Sequence, residues 1–200
     1  MMLKIGITGG IGSGKSTISK VFEVLGIPVF YADDAAKEVM TADPVLISAL
    51  KETFGDEAYF SDGSLNRKYI ANIVFNDPQQ LAKLNAITHP AVFRAFDTWL
   101  EQTHHAPYVM KEAALMFESG SAKLCDKNIL VYAPLAMRID RVVKRDNLSK
   151  AEVESRNARQ FTDEQKMKLA DYVITNDDSQ LVIPQVLALH QQFLTMAAGK

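Results

Sequence analysis

Residues 3–17, LKIGITGGIGSGKST, decide the fold of this chain. The first six are short, apolar and β-branched and run straight into glycines, which reads as a buried strand ending in a tight loop. Gly9-Gly10-Ile11-Gly12-Ser13-Gly14-Lys15-Ser16 then fits G-x-x-x-x-G-K-[ST] in full, between that strand and a helix expected over residues 15–25. Glycines remove Cβ atoms, so consecutive backbone N–H groups can curl round a phosphate while the positive end of the helix faces the same anion. The expected phosphate-binding set is Gly10, Ile11, Gly12, Ser13, Gly14, Lys15, Ser16 and Thr17. Within it, Lys15 reaches the β- and γ-phosphates and the Ser16 hydroxyl binds Mg²⁺.

Outward from this P-loop, Gly26 closes the helix and residues 27–31 (IPVFY) form a second apolar run, followed by Asp33 and Asp34. From 35 to 104 the apolar spacing changes to three and four, as in Leu46, Ala49, Leu50 and Phe54, which predicts a helical insertion. Turn signals divide it at Asp43-Pro44, residues 61–64, Asp77-Pro78 and His89-Pro90. Strand-like runs return at 108–110, 128–132 and 172–175, separated by helical stretches at 135–144, 150–160 and 181–194. Alternation of this kind implies an α/β fold with a five-stranded parallel sheet covered on both faces.

Composition excludes several classes. Two hundred residues, 48% hydrophobic and 23% charged, suit one domain with inserted subdomains, ordered nearly throughout. A net charge of −2, from 22 basic and 24 acidic residues, gives no global attraction to nucleic acid or to an anionic membrane. No stretch reaches the ~18 apolar residues of a membrane span, and glycines interrupt the N-terminus before a signal-peptide core forms. The single cysteine, Cys125, excludes an intramolecular disulfide and fits a reducing compartment, so a cytoplasmic protein is expected. A monomer or weak homo-oligomer is expected as well. His104 and His105 lie in a polar hinge, with no acidic or thiol partner at ligand spacing.

A P-loop alone does not choose among kinase, GTPase and ATPase. The guanine-reading N-K-x-D and the D-x-x-G switch are both missing, which sets GTPases aside. A mechanical ATPase wants an apolar strand ending in an acid; the nearest stretch, Tyr108-Val-Met-Lys-Glu112, is interrupted by Lys111. Asp33 follows the second strand, at the carboxyl edge of the sheet where open α/β folds bind ligands, and a carboxylate there can orient an attacking hydroxyl. Asp33 and Asp34 also suit the N-cap of a helix beginning near Ala35. Arg138, Arg141 and Arg145 share roughly one helical face, either to neutralise charge on a migrating phosphoryl group or as a solvated face beside Asp140 and Asp146.

Taken together these residues resemble the dephospho-CoA kinase family. The likeness rests on residues 7–16, Ala32-Asp33, Gly63-Ser-Leu65-Asn-Arg67 with Ile73-Val-Phe75, and Ile87-Thr-His89-Pro90. It continues through Leu115-Met-Phe117-Glu118, Arg141 with Arg145, Arg156 with Gln160, and Ala170-Asp171-Tyr-Val-Ile-Thr-Asn176. The resemblance implies a three-layer P-loop kinase fold and transfer of phosphate from ATP, with Mg²⁺, to the ribose 3′-hydroxyl of dephospho-CoA. It implies a nucleotide-binding core of residues 1–34, 106–133 and 166–200, a helical domain at 35–105 that grips the CoA portion, and a lid at 134–165 whose closure excludes water. By resemblance Lys15, Asp33, Arg141 and Arg145 are catalytic. Asp33, Arg67, His89, Glu118 and Gln160 meet substrate, although His89-Pro90 also suits a helix-breaking turn and Arg67 a surface cation. Asn176 joins the nucleotide set, and the amides of Gln160 and Asn176 suit either adenine or backbone capping.

Three positions depart from the family pattern. Tyr31 stands where a first acid is usual, Ala114 replaces a proline, and Arg138 replaces a glutamine. Tyr31 leaves Asp33 to accept the hydroxyl proton; Ala114 leaves the path of the following loop open. Arg138 either enlarges the positive charge of the lid or faces solvent.

Overall fold

The computed structural model describes residues 2–75, 77–103 and 105–199. His104, half of the His104-His105 pair, lies outside the described residues. Strands β1 (Leu3–Thr8), β2 (Val29–Tyr31), β3 (Tyr108–Glu112), β4 (Lys127–Tyr132) and β5 (Tyr172–Thr175) form one sheet, ordered β2-β3-β1-β4-β5, with every pairing parallel. β1 therefore sits in the middle, and the loop leaving it emerges between the ends of β3 and β4. Alternation along β1 explains the layering: Leu3, Ile5 and Ile7 face the helices α1 (Lys15–Val24) and α9 (Val182–Ala198). Phe22, Val186 and Phe193 close that core, each fully buried side chain contributing roughly 2 kcal/mol of transfer free energy. On the opposite face Gly6 leaves room for Met116 and Asn128, which a Cβ at that position would strike.

After β4 come α6 (Leu135–Asp146), α7 (Lys150–Asn157) and α8 (Asp163–Leu169). The sequence suggested one helical stretch over 150–160 here; α7 instead stops at Asn157 and α8 starts afresh. Ser149 with Glu152, and Thr162 with Gln165, each form a reciprocal capping box that fixes those two starts. Ile139, Val142 and Val153 make a small core joining α6 to α7.

Residues 32–104 form a separate compact unit from 1–31 with 105–200. It holds α2 (Ala32–Ala42), α3 (Pro44–Phe54), α4 (Arg67–Val74) and α5 (Pro78–Gln102) around Leu46, Leu50, Phe54, Ile70, Ala91 and Phe96. Asp43 and Asp77 cap α3 and α5, each followed by proline at the first helical position. Two expectations change. α2 begins at Ala32 rather than near Ala35, so Asp33 and Asp34 occupy its first turn, where negative charge suits the helix dipole, instead of preceding it. His89-Pro90 is no break: α5 continues through Pro90, because Thr88, Ala91, Val92 and Phe96 bury one stripe of the helix and offset the hydrogen bond that proline cannot donate. Among the described residues no helix is long and apolar enough to cross a membrane.

Candidate functional site

The P-loop takes its shape from short-range backbone geometry. Gly14, at the N-cap of α1, has φ 94°, a conformation open to glycine, and a Cβ there would strike the Asn176 amide. The Ser13 amide donates to Gly10 O at 3.0 Å and closes the turn. Residues 11–17 with Arg141, Val142 and Arg145 line a cavity of about 230 Å³, a size suited to a chain of phosphates. Ser16 and Thr17 are exposed, and among the described residues the buried Ser13 hydroxyl has no hydrogen-bond partner. Lys15 Nζ lies 3.6 Å from Glu112 Oε1, at the end of the neighbouring strand.

Glu112 is a residue that sequence reasoning passed over. Lys111 reads as an interruption of its strand, yet all five residues of β3 are buried, Lys111 being 1% exposed, and the register sets Glu112 beside Ile7. The signal that identifies it is position, an acid ending the strand adjacent to the P-loop strand. Beyond it, the Ala113 amide donates to Ile7 O and the Thr8 hydroxyl to Ala114 O, which settles the path left open by the proline replacement. Tyr31, the other departure in this region, donates its hydroxyl to Glu23 on α1.

The three arginines of α6 do not act alike. Arg141 reaches the segment after β5, donating to Asn176 O at 2.9 Å and approaching Asp178 at 3.4 Å. Arg145 is exposed and forks onto Asp146 at 2.7 and 2.8 Å, which raises its own pKa and lowers that of Asp146. Arg138, expected in the lid's positive field or in solvent, is buried at 2% exposure. Its guanidinium donates to Ala133 O, Ile11 O, Asn157 Oδ1 and both carboxylate oxygens of Asp163, because those acceptors converge beneath α6.

Both candidate amides turn to the P-loop backbone. Gln160 Oε1 accepts from the Ile11 amide at 3.0 Å, and Asn176 Nδ2 donates to Ser13 O at 2.8 Å. Glu118 accepts from the Phe161 amide at 2.7 Å and stands 3.4 Å from the fully buried ammonium of Lys166. Burial holds Lys166 below the usual lysine pKa, with Glu118 pulling the other way. The residues between α7 and α8 are thus tied to the P-loop on one side and to the loop after β3 on the other.

Asp33, Arg67 and His89 belong to the helical unit. Asp33 is exposed in the first turn of α2, two residues past the end of β2; Arg67 is exposed at the start of α4; His89 stacks on Phe93 at 6.3 Å. Burial pushes the Cys125 thiol up to about 11, so it is no nucleophile at neutral pH. Among the described residues no group of three or more His, Cys, Asp or Glu is arranged to hold a metal ion.

Known proteins carry the same pattern. The dephospho-CoA kinase (CoaE) family model matches residues 3–181. A dephospho-CoA kinase from Bacteroides fragilis is 41% identical, over 94% of this chain and 92% of its own. A crystal structure from Thermus thermophilus superposes with TM-score 0.82 at 34% identity, covering 98% of this chain and 97% of the other. Dephospho-CoA kinase from Campylobacter jejuni gives TM-score 0.70 at 26% identity, covering 98% of each. With its parallel sheet, its P-loop between β1 and α1, and matches of this extent, the chain belongs to the dephospho-CoA kinase family.

Proposed function

We propose that this protein transfers the γ-phosphoryl group of ATP to the ribose 3′-hydroxyl of dephospho-CoA, giving CoA, the last step of coenzyme A biosynthesis. The observation that carries the proposal is the P-loop cavity with Lys15, Arg141 and Arg145 on its wall, in a chain that matches the family from residue 3 to 181. Phosphoryl transfer needs little covalent help, so the site's work is to position the reactants and neutralise charge. Lys15 and the amides of residues 10–17 hold the phosphates. Arg141 and Arg145 offset charge on the migrating group, Arg145 exchanging its Asp146 partner for phosphate. Asp33 orients the acceptor hydroxyl and takes its proton.

Mg²⁺ is a requirement of the proposal, and the donor set suits it. The exposed Ser16 hydroxyl and the Glu112 carboxylate are hard oxygens, and this ion commonly takes one or two protein oxygens and completes its shell with water and phosphate. When bound it would draw negative charge from the phosphate oxygens. Ser16 would hold it, with Glu112 beside Lys15 supplying the second oxygen.

The helical unit, with Arg67, His89 and Asp33, is assigned to the acceptor; residues 134–165 are assigned to a lid, and Glu118 and Gln160 to its closed state. A cytoplasmic location accords with the lone cysteine, and the enzyme is assigned as a monomer or weak homo-oligomer. The test is ADP release from ATP and Mg²⁺ with dephospho-CoA, adenosine, AMP or pantetheine at equal concentration. Release dependent on dephospho-CoA, with CoA formed, is expected; release with another acceptor alone overturns the substrate, and none at all overturns the kinase.

A further inference from the structure

Arg138 is the position at which the chain departs from the glutamine of the family pattern, and its surroundings make use of a guanidinium. Nε donates to Ala133 O at 2.9 Å, where β4 gives way to α6. Nη1 donates to Ile11 O at 3.4 Å and Asn157 Oδ1 at 2.9 Å, and Nη2 to the Asp163 oxygens at 3.1 and 2.8 Å. All three guanidinium nitrogens donate, and the charge is met by one carboxylate in a site where the arginine is 2% exposed. Neither glutamine, with two donors, nor lysine, with three donors on one point, can reproduce a planar fork across four chain segments.

The P-loop is built around this side chain. A Cβ on Gly10 would collide with the Arg138 guanidinium, and a Cβ on Gly12 with its backbone carbonyl, so the glycines there admit α6 as well as phosphate. Ile11 is held at both ends, its carbonyl by Arg138 and its amide by Gln160. Asn157, Gln160 and Asp163 all come from α7, α8 or the connector between them.

We infer that Arg138 is a positioning residue that sets the conformation of the P-loop tip and holds the α7–α8 connector on it through Asp163, and that nucleotide affinity depends on this pin. It touches no substrate: its effect passes through Ile11 and Gly10. A tip free to rearrange must be ordered when phosphate binds, and that ordering weakens binding of ATP and ADP alike. Binding of the acceptor, whose contacts are assigned to the helical unit, is left alone.

The inference rests on the P-loop cavity being the nucleotide site, and the experiment separates the two. ADP affinity is measured by titration calorimetry, without acceptor, in the wild type, Arg138→Lys, Asp163→Asn and the double variant; KM and kcat for both substrates are measured alongside. Arg138→Lys is expected to weaken ADP binding about tenfold and to raise KM for ATP equally. Its kcat should stay within about threefold, and KM for dephospho-CoA should not move. Asp163→Asn, which leaves the arginine in place, should weaken ADP about threefold, and the double variant should add little to Arg138→Lys, as for two residues in one contact. A purely structural role predicts a lower melting temperature with ADP affinity within about twofold of wild type, and that result overturns the inference. Should Arg138→Lys fail to fold, Asp163→Asn decides alone: weakened ADP binding supports the pin and unchanged binding removes it. If the wild type leaves dephospho-CoA unphosphorylated, the proposed reaction falls while the ADP measurements still decide on Arg138.

Discussion

The P-loop and the connector between α7 and α8 meet at Ile11, yet local and distant contacts weigh differently in the two. Residues 9–17 take most of their frame from within the motif, through the turn from Ser13 to Gly10, the left-handed Gly14 and the start of α1, and Arg138, Gln160 and Asn176 brace that frame from outside. The connector has a turn of its own, the Gln160 amide donating to Asn157 O at 3.0 Å, but its place on the molecule comes from elsewhere. It is held by side chains far away in sequence, through Arg138 to Asn157 and Asp163, Glu118 to the Phe161 amide, and Gln160 to Ile11. A motif shaped by backbone tolerates little variation in residue type, whereas a segment held by partnerships can trade both partners together. The contrast predicts that substitutions in the P-loop reduce catalysis, and that substitutions under the connector reduce stability or affinity.

Lys15→Met should give the largest effect, a fall in kcat/KM of about 10³-fold, or about 4 kcal/mol, with the far-ultraviolet circular dichroism unchanged. A stability loss instead would place Lys15 with the connector's partnerships. Lys166→Met should cost about 3 kcal/mol in urea unfolding, since it leaves the Glu118 carboxylate without its cation, and adding Glu118→Gln should recover more than half. That pair also carries a pH signature. Lys166 has a lowered pKa in the folded protein, so between that value and the ~10.4 of the unfolded chain the native state binds fewer protons. Wild type should therefore gain stability over Lys166→Met as pH rises through that window and lose the gain as pH falls; a flat difference would deny the lysine its lowered pKa. Asp33→Asn should slow turnover about 10²-fold and leave ADP affinity unaltered, as for a positioned base. Near-normal turnover would remove Asp33 from the chemistry. Asp146→Asn, which breaks an exposed pair with Arg145, should move stability by less than about 0.5 kcal/mol.

What could be read from the sequence follows the same division. β1, the P-loop and α1 were legible because the glycine pattern and the apolar runs are local. β5 was legible to the residue, its four-residue run being bounded by Ala170-Asp171 and Asn176. The sheet, and the helical character of 35–104, followed from periodicity. Three things were not legible. Pro90 signals a break wherever packing is unknown, and only the buried stripe of α5 shows why the helix survives it. Lys111 reads as a polar interruption until β3 is seen buried along its whole length, which leaves Glu112 beside Lys15. Arg138 looked like the first of three similar cations, since spacing fixes a helical face but not what lies beneath it. The carboxylate that receives it is 25 residues further on, beyond the reach of any local pattern.

The Asn176 amide, donated to Ser13 O across 163 residues of sequence, bears on the order of synthesis. The phosphate loop leaves the ribosome well before the side chain that braces its backbone, which follows β5. A nascent chain therefore carries a complete motif long before it carries a complete site. Truncated products ending before β5 should display the glycine-rich loop without the side chain that fixes its backbone.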